Sequence, residues 1–134
     1  TASVTILDLD GGELHHVTAG HPPPIVLRAR GSTEPLVGGR VPVIGMAPGR
    51  VVPARHRLDV GDALFLYTDG LVERRGEDLD AGLQRISAVL DGVGSRSLTD
   101  QVTELVVHGV AGGRIEDDIA LVAVRRDRTS HRVV

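Results

Sequence analysis

Three aspartates are the side chains best placed to do chemistry in this 134-residue sequence. Asp69 follows the apolar run ALFLY and precedes Gly70, so its carboxylate stands at the end of a predicted core strand. Asp117 and Asp118 stand just before a second apolar run, IALVAV. Hard divalent cations such as Mg²⁺ and Mn²⁺ prefer carboxylate oxygens, and carboxylates that share such a cation can activate water or orient a phosphate.

Each of these acidic positions also has a structural explanation. Asp69 could be a turn aspartate that accepts hydrogen bonds from backbone amides. Asp117 and Asp118 could belong to a solvated loop in which one carboxylate acts as a cap. The carboxylates converge only if the two apolar strands are neighbours in one sheet, and spacing along the chain leaves that question open.

Other kinds of site have less support. The sequence has no cysteine, which excludes disulfides, thiolate catalysis and cysteine-ligated metals. None of the six histidines shows a pairwise metal-ligand spacing of the His-x-x-x-His type. His21, in TAGHPPP, lies at a predicted strand end before three prolines, and we expect it to lock this turn by hydrogen bonds.

Length and composition predict one globular domain. Hydrophobic residues make up 41% of the chain and charged residues 25%, which is typical of folded proteins. A net charge of -3 and only one Phe and one Tyr argue against a nucleic-acid partner, which would need a basic surface or aromatic platforms. No apolar run approaches the ~20 residues of a membrane span, and no signal peptide is visible. We therefore expect a cytoplasmic protein.

The elements that must position the aspartates follow from periodicity and turn residues. Val4 and Ile6 share one face of the first predicted strand. The predicted strand that contains Pro53 is expected at a sheet edge, because proline has no amide donor for a second neighbour. Glycine and proline predict a loop over residues 38–49. The predicted strands cover residues 2–9, 13–18, 25–30, 51–58, 63–67 and 119–124.

Two helices are predicted between the last two strands. Apolar residues recur at helical spacing behind Asp78 and Asp80, which are candidate caps. A second helix begins at Ser97, with Asp100 close to a capping-box position, and ends at Gly112-Gly113. Strands joined by hairpins, then two helices and a last strand, predict the α+β class with antiparallel sheets.

Four motifs in this order resemble the metal-dependent protein serine/threonine phosphatases, the PPM family. They are TAGHPPPIVLR, VIGMAPG, LDVGDALFLYTDGLVERR and EDDIALVAVRR. The resemblance is closest to the bacterial sporulation and stress-response branch, which regulates anti-sigma circuits. It implies that residues 1–126 are the C-terminal part of one phosphatase domain, within an αββα sandwich of antiparallel sheets. Residues 127–134 are expected to be a disordered tail.

The resemblance also implies a site and a reaction. Asp69 matches the aspartate of the family's TDG motif, a ligand of a pair of Mn²⁺ or Mg²⁺ ions. Asp117 and Asp118 match its DD motif, in which the first aspartate is the surer ligand. Gly70 and His21 would support the site structurally. The expected reaction is direct attack of an activated water on phosphoserine or phosphothreonine. The branch further implies an anti-anti-sigma phosphoprotein as the substrate and an upstream sensor domain.

One departure from the family pattern affects these expectations. The motif of type GDVxGHG, which supplies the aspartate that bridges both metals, does not occur, so we expect about the first third of the domain to precede Thr1. The chain alone is then expected to hold an incomplete site and to be inactive. Because its sheet surface is uncovered, we expect it to associate with another copy or with the missing segment, or else to be marginally stable. Two alternatives stay open: an interaction module without catalysis, and an unrelated antiparallel domain with chance acidic turns.

Overall fold

Strands fill the first half of the chain, and both helices lie between the last two strands. The computed structural model describes residues 1–46, 49–110 and 117–128. Its strands are β1 (Ala2–Leu7), β2 (Glu13–Ala19), β3 (Ile25–Leu27), β4 (Thr33–Pro35), β5 (Arg40–Val41), β6 (Ala54–Arg57), β7 (Ala63–Tyr67) and β8 (Leu121–Arg125). Its helices are α1 (Leu79–Gly92), α2 (Leu98–Val110) and a short 3₁₀ helix (Asp69–Leu71). The α+β class predicted from the sequence is confirmed.

The first sheet is built around β2. β1 pairs with β2 antiparallel along its whole length, from Ala2 opposite Ala19 to Leu7 opposite Leu14. On the other edge of β2, β6 pairs antiparallel and β5 pairs parallel. β5 thus adds one short parallel pair to a sheet that is otherwise antiparallel, as predicted. This pair arises because part of the predicted loop over residues 38–49 returns along β2 for two residues.

The second sheet is antiparallel throughout, in the order β4-β3-β7-β8. β7 is a central strand between β3 and β8, with Phe65 opposite Ile25 on one side and Ala123 on the other. Its continuous apolar sequence therefore reflects burial on both faces. Because β7 and β8 are direct neighbours, Asp69 after β7 and Asp117 before β8 come to the same end of the sheet.

Alternate residues of β7 face two different cores. Phe65 and Tyr67 pack on the side of α1 and α2, in a cluster with Ile86, Leu90 and Leu105. Leu64 faces the first sheet and packs with apolar residues that include Leu14, Val26, Leu36 and Leu58. The layers are therefore first sheet, second sheet, helices.

The outer face of the first sheet is exposed in the described part of the chain. Val4 and Ile6 share this face, as their alternation predicts, but they are 60% and 67% exposed. The inward side chains of β1 are instead Thr5 and Leu7, opposite His16 and Leu14 of β2. Self-association through uncovered sheet surface stays a prediction.

Both helices begin at the predicted caps. The Asp78 carboxylate accepts a 2.7 Å hydrogen bond from the amide of Ala81. The Ser97 hydroxyl accepts from the amide of Asp100 at 3.1 Å and donates to its carboxylate at 2.7 Å. These bonds satisfy amide groups that the first helical turn leaves without partners.

Several predicted boundaries differ from the structure. The strands predicted over 2–9, 25–30 and 51–58 are shorter, and the last strand begins two residues later, at Leu121. β4 was not predicted, because its residues TEP are polar and end in proline. The predicted helix end at Gly112-Gly113 and residues 129–134 of the predicted tail lie outside the described residues. No helix in the described part of the chain is long and apolar enough to cross a membrane.

Candidate functional site

The site begins where β7 ends. Asp69 opens the 3₁₀ helix, and its carbonyl accepts hydrogen bonds from the amides of Val72 and Glu73 at 2.9 and 2.8 Å. Leu71 and Val72 are buried at 1% and 0% exposure, so this turn is anchored in the core. The carboxylate of Asp69 is partly exposed and makes no hydrogen bond or ion pair in the described part of the chain. It is held on a rigid turn but is open to a ligand.

Thr68 joins this turn to the segment before β8. Its hydroxyl donates to the carbonyl of Asp118 at 2.8 Å and accepts from the amide of Ala120 at 2.9 Å. Its own amide donates to the carbonyl of Ala120 at 3.0 Å. One side chain thus fixes two segments that lie about fifty residues apart in sequence. At residue 120 the link uses backbone atoms, so it does not depend on the side chain there.

Gly70 allows these two segments to approach closely. A β-carbon at position 70 would lie 2.8 Å from the carbonyl oxygen of Asp118 and 3.0 Å from that of Asp117. Such contacts with backbone atoms would force the segments apart. The predicted structural role of Gly70 therefore has a steric basis in this fold.

Asp69 and Asp117 line one cavity of about 350 Å³. Its other lining residues are Gly70, Glu73, Arg74 and Arg75. Three carboxylates thus face two guanidinium groups around this cavity. Asp118 is not among the lining residues; its amide donates to Oδ1 of Asp117 at 2.8 Å. Of the two adjacent aspartates, Asp117 lines the cavity, and the backbone amide of Asp118 bonds the Asp117 carboxylate.

Both ring nitrogens of His21 lie within hydrogen-bond distance of a partner. Its Nε2 lies 2.8 Å from the carbonyl oxygen of Tyr67, so this nitrogen carries the proton and donates. Nδ1 then accepts from the hydroxyl of Thr1 at 3.2 Å. The hydroxyl of Tyr67 donates to the carbonyl of Pro23 at 2.7 Å, and burial raises the pKa of this phenol. Together these bonds tie the proline turn to the end of β7, two residues before Asp69.

The residues present fit part of a hard-cation site. Asp69 and Asp117 supply oxygen donors of the kind that Mg²⁺ and Mn²⁺ prefer, from two elements that Thr68 fixes to each other. No group of three or more His, Cys, Asp or Glu side chains within the described ranges is arranged to hold a metal ion. The donor chemistry therefore agrees with a divalent cation, and the number of donors is smaller than a closed coordination shell requires.

A second cleft, of about 280 Å³, lies on the other side of Thr68. Prolines 22–24, Leu66, Leu121 and Val122 form most of its wall. Because it lacks carboxylates, this cleft is not the candidate centre.

Comparison with known proteins identifies the family. The model of the stage II sporulation protein E (SpoIIE) family matches residues 1–127. This chain belongs to the SpoIIE family. The match confirms the resemblance to the sporulation and stress-response branch of the metal-dependent phosphatases. A curated relative, protein IcfG of Synechocystis sp., is 28% identical over 126 residues, which are 91% of this chain and 20% of that protein.

Solved structures show the same fold. The RsbU and RsbW domains of Rv1364c from Mycobacterium tuberculosis match with a TM-score of 0.84 and 29% identity, over 93% of this chain and 35% of that one. The phosphatase domain of the cell fate determinant SpoIIE from Bacillus subtilis matches with a TM-score of 0.74 and 22% identity, over 97% of this chain and 60% of that one. This SpoIIE-family chain therefore spans a fifth of the curated relative and less than two thirds of these structures.

Two features of the site were not found from the sequence. The bridging role of Thr68 was missed, although a hydroxyl residue between a buried strand and an aspartate is a usable signal. The two arginines of the cavity, Arg74 and Arg75, were also missed, because a charged pair after a turn is usually a solvated surface.

Proposed function

We propose that this chain is the C-terminal part of the catalytic domain of a protein phosphatase that hydrolyses phosphoserine or phosphothreonine in a protein substrate. The observation that carries the proposal is the meeting of Asp69 and Asp117 at one cavity beside two arginines. Membership of the SpoIIE family supports the reaction class. A turn aspartate of purely structural function would be bonded to nearby amides, whereas the Asp69 carboxylate is not.

Asp69 and Asp117 are proposed to hold Mn²⁺ or Mg²⁺. When bound, such a cation supplies Lewis acidity, which activates water and offsets the charge of phosphoryl oxygens. Asp118 orients the Asp117 carboxylate through its amide, and Thr68 holds the whole segment at a fixed distance from Asp69. We propose Asp117 rather than Asp118 as the ligand, because only Asp117 lines the cavity.

The proposed reaction is a single displacement at phosphorus. The oxygen of a water attacks, the bond from phosphorus to the seryl or threonyl oxygen breaks, and that oxygen takes up a proton. Inorganic phosphate and the free hydroxyl side chain are the products. Among the described residues that line the cavity, none is a cysteine or a histidine, and we propose direct attack by water rather than a phosphoenzyme.

The substrate is proposed to be a small phosphorylated anti-anti-sigma regulator in the cytoplasm, with a sensor domain upstream that controls the phosphatase. The support is membership of the SpoIIE family and the fold likeness to the RsbU and RsbW domains of the mycobacterial protein. A second candidate is an interaction module without catalysis. The observation that favours it is the lack of a three-residue metal cluster in the described residues.

Hydrolysis of a phosphoserine peptide by the full-length protein tests the proposal. We expect turnover with Mn²⁺ and none after chelation, and little turnover by the 134-residue chain alone. Asp69→Asn should lower kcat about 1,000-fold, since several kcal/mol of charge stabilisation are lost. Asp80→Asn is the matched control, because Asp80 is exposed on α1 away from this cavity. A full-length protein that binds its partners but never releases phosphate would favour the interaction module.

Asp117 and Asp118 offer a comparison within the site. Asp117→Asn should abolish turnover and weaken Mn²⁺ binding, measured by titration calorimetry. Asp118→Asn leaves the amide and carbonyl of residue 118 in place, so its effect should be small. Equal losses in the two variants would contradict the assignment of Asp117 as the ligand.

A further inference from the structure

Arg75 stands on the wall of the same cavity as Asp69 and Asp117. It is exposed, and it makes no hydrogen bond or ion pair in the described part of the chain. Its neighbour Arg74 differs, because one of its guanidinium nitrogens lies 3.9 Å from the Glu77 carboxylate and the side chain has further interactions. Of the two cations at this cavity, Arg75 is the one with all its donors available.

The backbone that carries Arg75 has a defined position relative to Asp69. The amides of Val72 and Glu73 donate to the Asp69 carbonyl, and the amide of Glu77 donates to the carbonyl of Arg74 at 3.0 Å. Glu77 is held in turn by Arg85, at 2.5 Å. Arg75 thus lies inside a hydrogen-bonded turn that directly follows the turn at Asp69, so its side chain reaches the cavity from a fixed base.

The charges around the cavity favour an anion once a cation is present. Three carboxylates outweigh two guanidinium groups without a metal, and a divalent cation at Asp69 and Asp117 reverses that balance. The substrate's phosphoryl group is an anion with several acceptor oxygens. A guanidinium offers parallel N–H donors that match such oxygens in a bidentate arrangement.

We propose that Arg75 binds the phosphoryl oxygens of the substrate and positions the phosphorus for attack. The inference rests on the proposed phosphatase function and adds to it a residue that recognises the substrate. The positive charge that binds the phosphoryl group is the guanidinium of Arg75. It is supplied by this chain, from the turn that follows the TDG motif. The other explanation is that Arg75 only balances the charge of the nearby carboxylates.

Three variants of the full-length protein separate these explanations. Arg75→Ala removes the charge and the donors, and Arg75→Lys keeps the charge but loses the bidentate fork. Arg30→Ala is the control, because Arg30 is an exposed arginine in the β3–β4 turn, at the opposite end of the second sheet. The readouts are KM and kcat for a phosphoserine peptide, the inhibition constant of inorganic phosphate, and Mn²⁺ affinity by calorimetry.

We expect Arg75→Ala to raise KM and the phosphate inhibition constant about tenfold or more, the effect of losing a hydrogen bond to a charged group. Arg75→Lys should recover only part of this loss, and Arg30→Ala should match the unchanged protein. Mn²⁺ affinity should not fall in any of the three. Charge balance alone predicts full recovery by lysine and an altered Mn²⁺ affinity in Arg75→Ala, and either result would overturn the inference.

The test also distinguishes the inference from the function on which it rests. If the unchanged protein hydrolyses the peptide and Arg75→Ala has the same KM and phosphate inhibition constant, the role of Arg75 is wrong and the phosphatase function stands. If the unchanged protein neither hydrolyses the peptide nor binds phosphate in the presence of Mn²⁺, the proposed function fails and the role of Arg75 fails with it.

Discussion

The two ends of β7 each carry an aspartate, and the two aspartates have opposite surroundings. Asp62, just before the strand, is 3% exposed and accepts hydrogen bonds from the amides of Ala29 and Asp59 and from the guanidinium of Arg28. Asp69, just after the strand, is partly exposed and its carboxylate has no partner in the described part of the chain. We call these the closed end and the open end of β7.

The difference shows that an aspartate can stabilise the fold at one end of a strand and be available to a ligand at the other end. Burial alone would raise the pKa of Asp62, but the Arg28 guanidinium and the two amides outweigh it and hold that pKa below its ordinary value. Arg28 also bonds Glu34 and the carbonyl of Arg57, so every partner at the closed end is committed to the fold. At the open end the fold positions the carboxylate through backbone contacts and leaves its oxygens for a ligand.

The largest expected loss of stability comes from a substitution at the closed end. Asp62→Asn should cost about 3 kcal/mol of unfolding free energy, because it removes the buried carboxylate that pairs with the partly buried Arg28 and leaves that guanidinium with Glu34. The measurement is urea unfolding of the full-length protein. Activity per folded molecule should hardly change, since the variant does not touch the cavity at Asp69. A stable Asp62→Asn protein without activity would reverse the assigned roles of the two ends.

A smaller effect should follow from loosening the open end. Thr68→Val keeps the shape of the side chain but leaves the carbonyl of Asp118 and the amide of Ala120 without their hydroxyl partner. We expect a loss of about 2 kcal/mol in stability, together with weaker Mn²⁺ binding because Asp117 is no longer held beside Asp69. Thr103→Val, on the exposed face of α2, is the matched control. Unchanged Mn²⁺ affinity in Thr68→Val would show that the link is structural only.

The smallest effect concerns a buried and a half-buried histidine on β2. His16 is 1% exposed, neither ring nitrogen has a hydrogen-bond partner, and its ring stacks on that of His56 at 5.0 Å. Burial and the neighbouring His56 lower the pKa of His16 below 6.5; the backbone of Gly38 opposes this shift without making a bond of hydrogen-bond geometry. His15 lies on the outer face of the same strand.

The sign of the pH effect follows from that lowered pKa. As pH falls, His16 takes up a proton near pH 6.5 in the unfolded chain, and only at a lower pH in the folded chain. The contribution of neutral His16 to the unfolding free energy is therefore complete above pH 6.5 and is lost as pH falls below it. The carboxylate at the closed end does not act in this range, since its pKa lies below 3.8. His16→Leu should therefore flatten the fall in unfolding free energy between pH 7 and pH 5, and His15→Leu should not. Equal slopes in both variants would exclude His16 as the source.

The contrast between the two ends also explains what the sequence could predict. The bounds of β7 and the caps Asp78 and Ser97 were predicted, because a continuous apolar run and a capping side chain act on their own neighbours. β4 and β5 were missed, because two or three polar or glycine-flanked residues become strands only through pairing with distant partners.

In the site, too, local features were predicted and contacts between distant residues were missed. Asp69 and Asp117 were proposed from motifs, and the pairing of β7 with β8 accounts for their meeting at one cavity. The bridge from Thr68 joins residues far apart in sequence, so a local pattern can single out Thr68 but not its partners at residues 118 and 120. The partnership of Arg28 with Asp62 is equally remote along the chain.

The most direct test of the account is to locate Mn²⁺ by anomalous scattering in crystals of the full-length protein. The account predicts a peak at the open end of β7, about 2.1 Å from carboxylate oxygens of both Asp69 and Asp117, with no contact to the Asp118 side chain and none at Asp62. A peak that avoids Asp69 and Asp117, or no peak at saturating Mn²⁺ in an active protein, would contradict it.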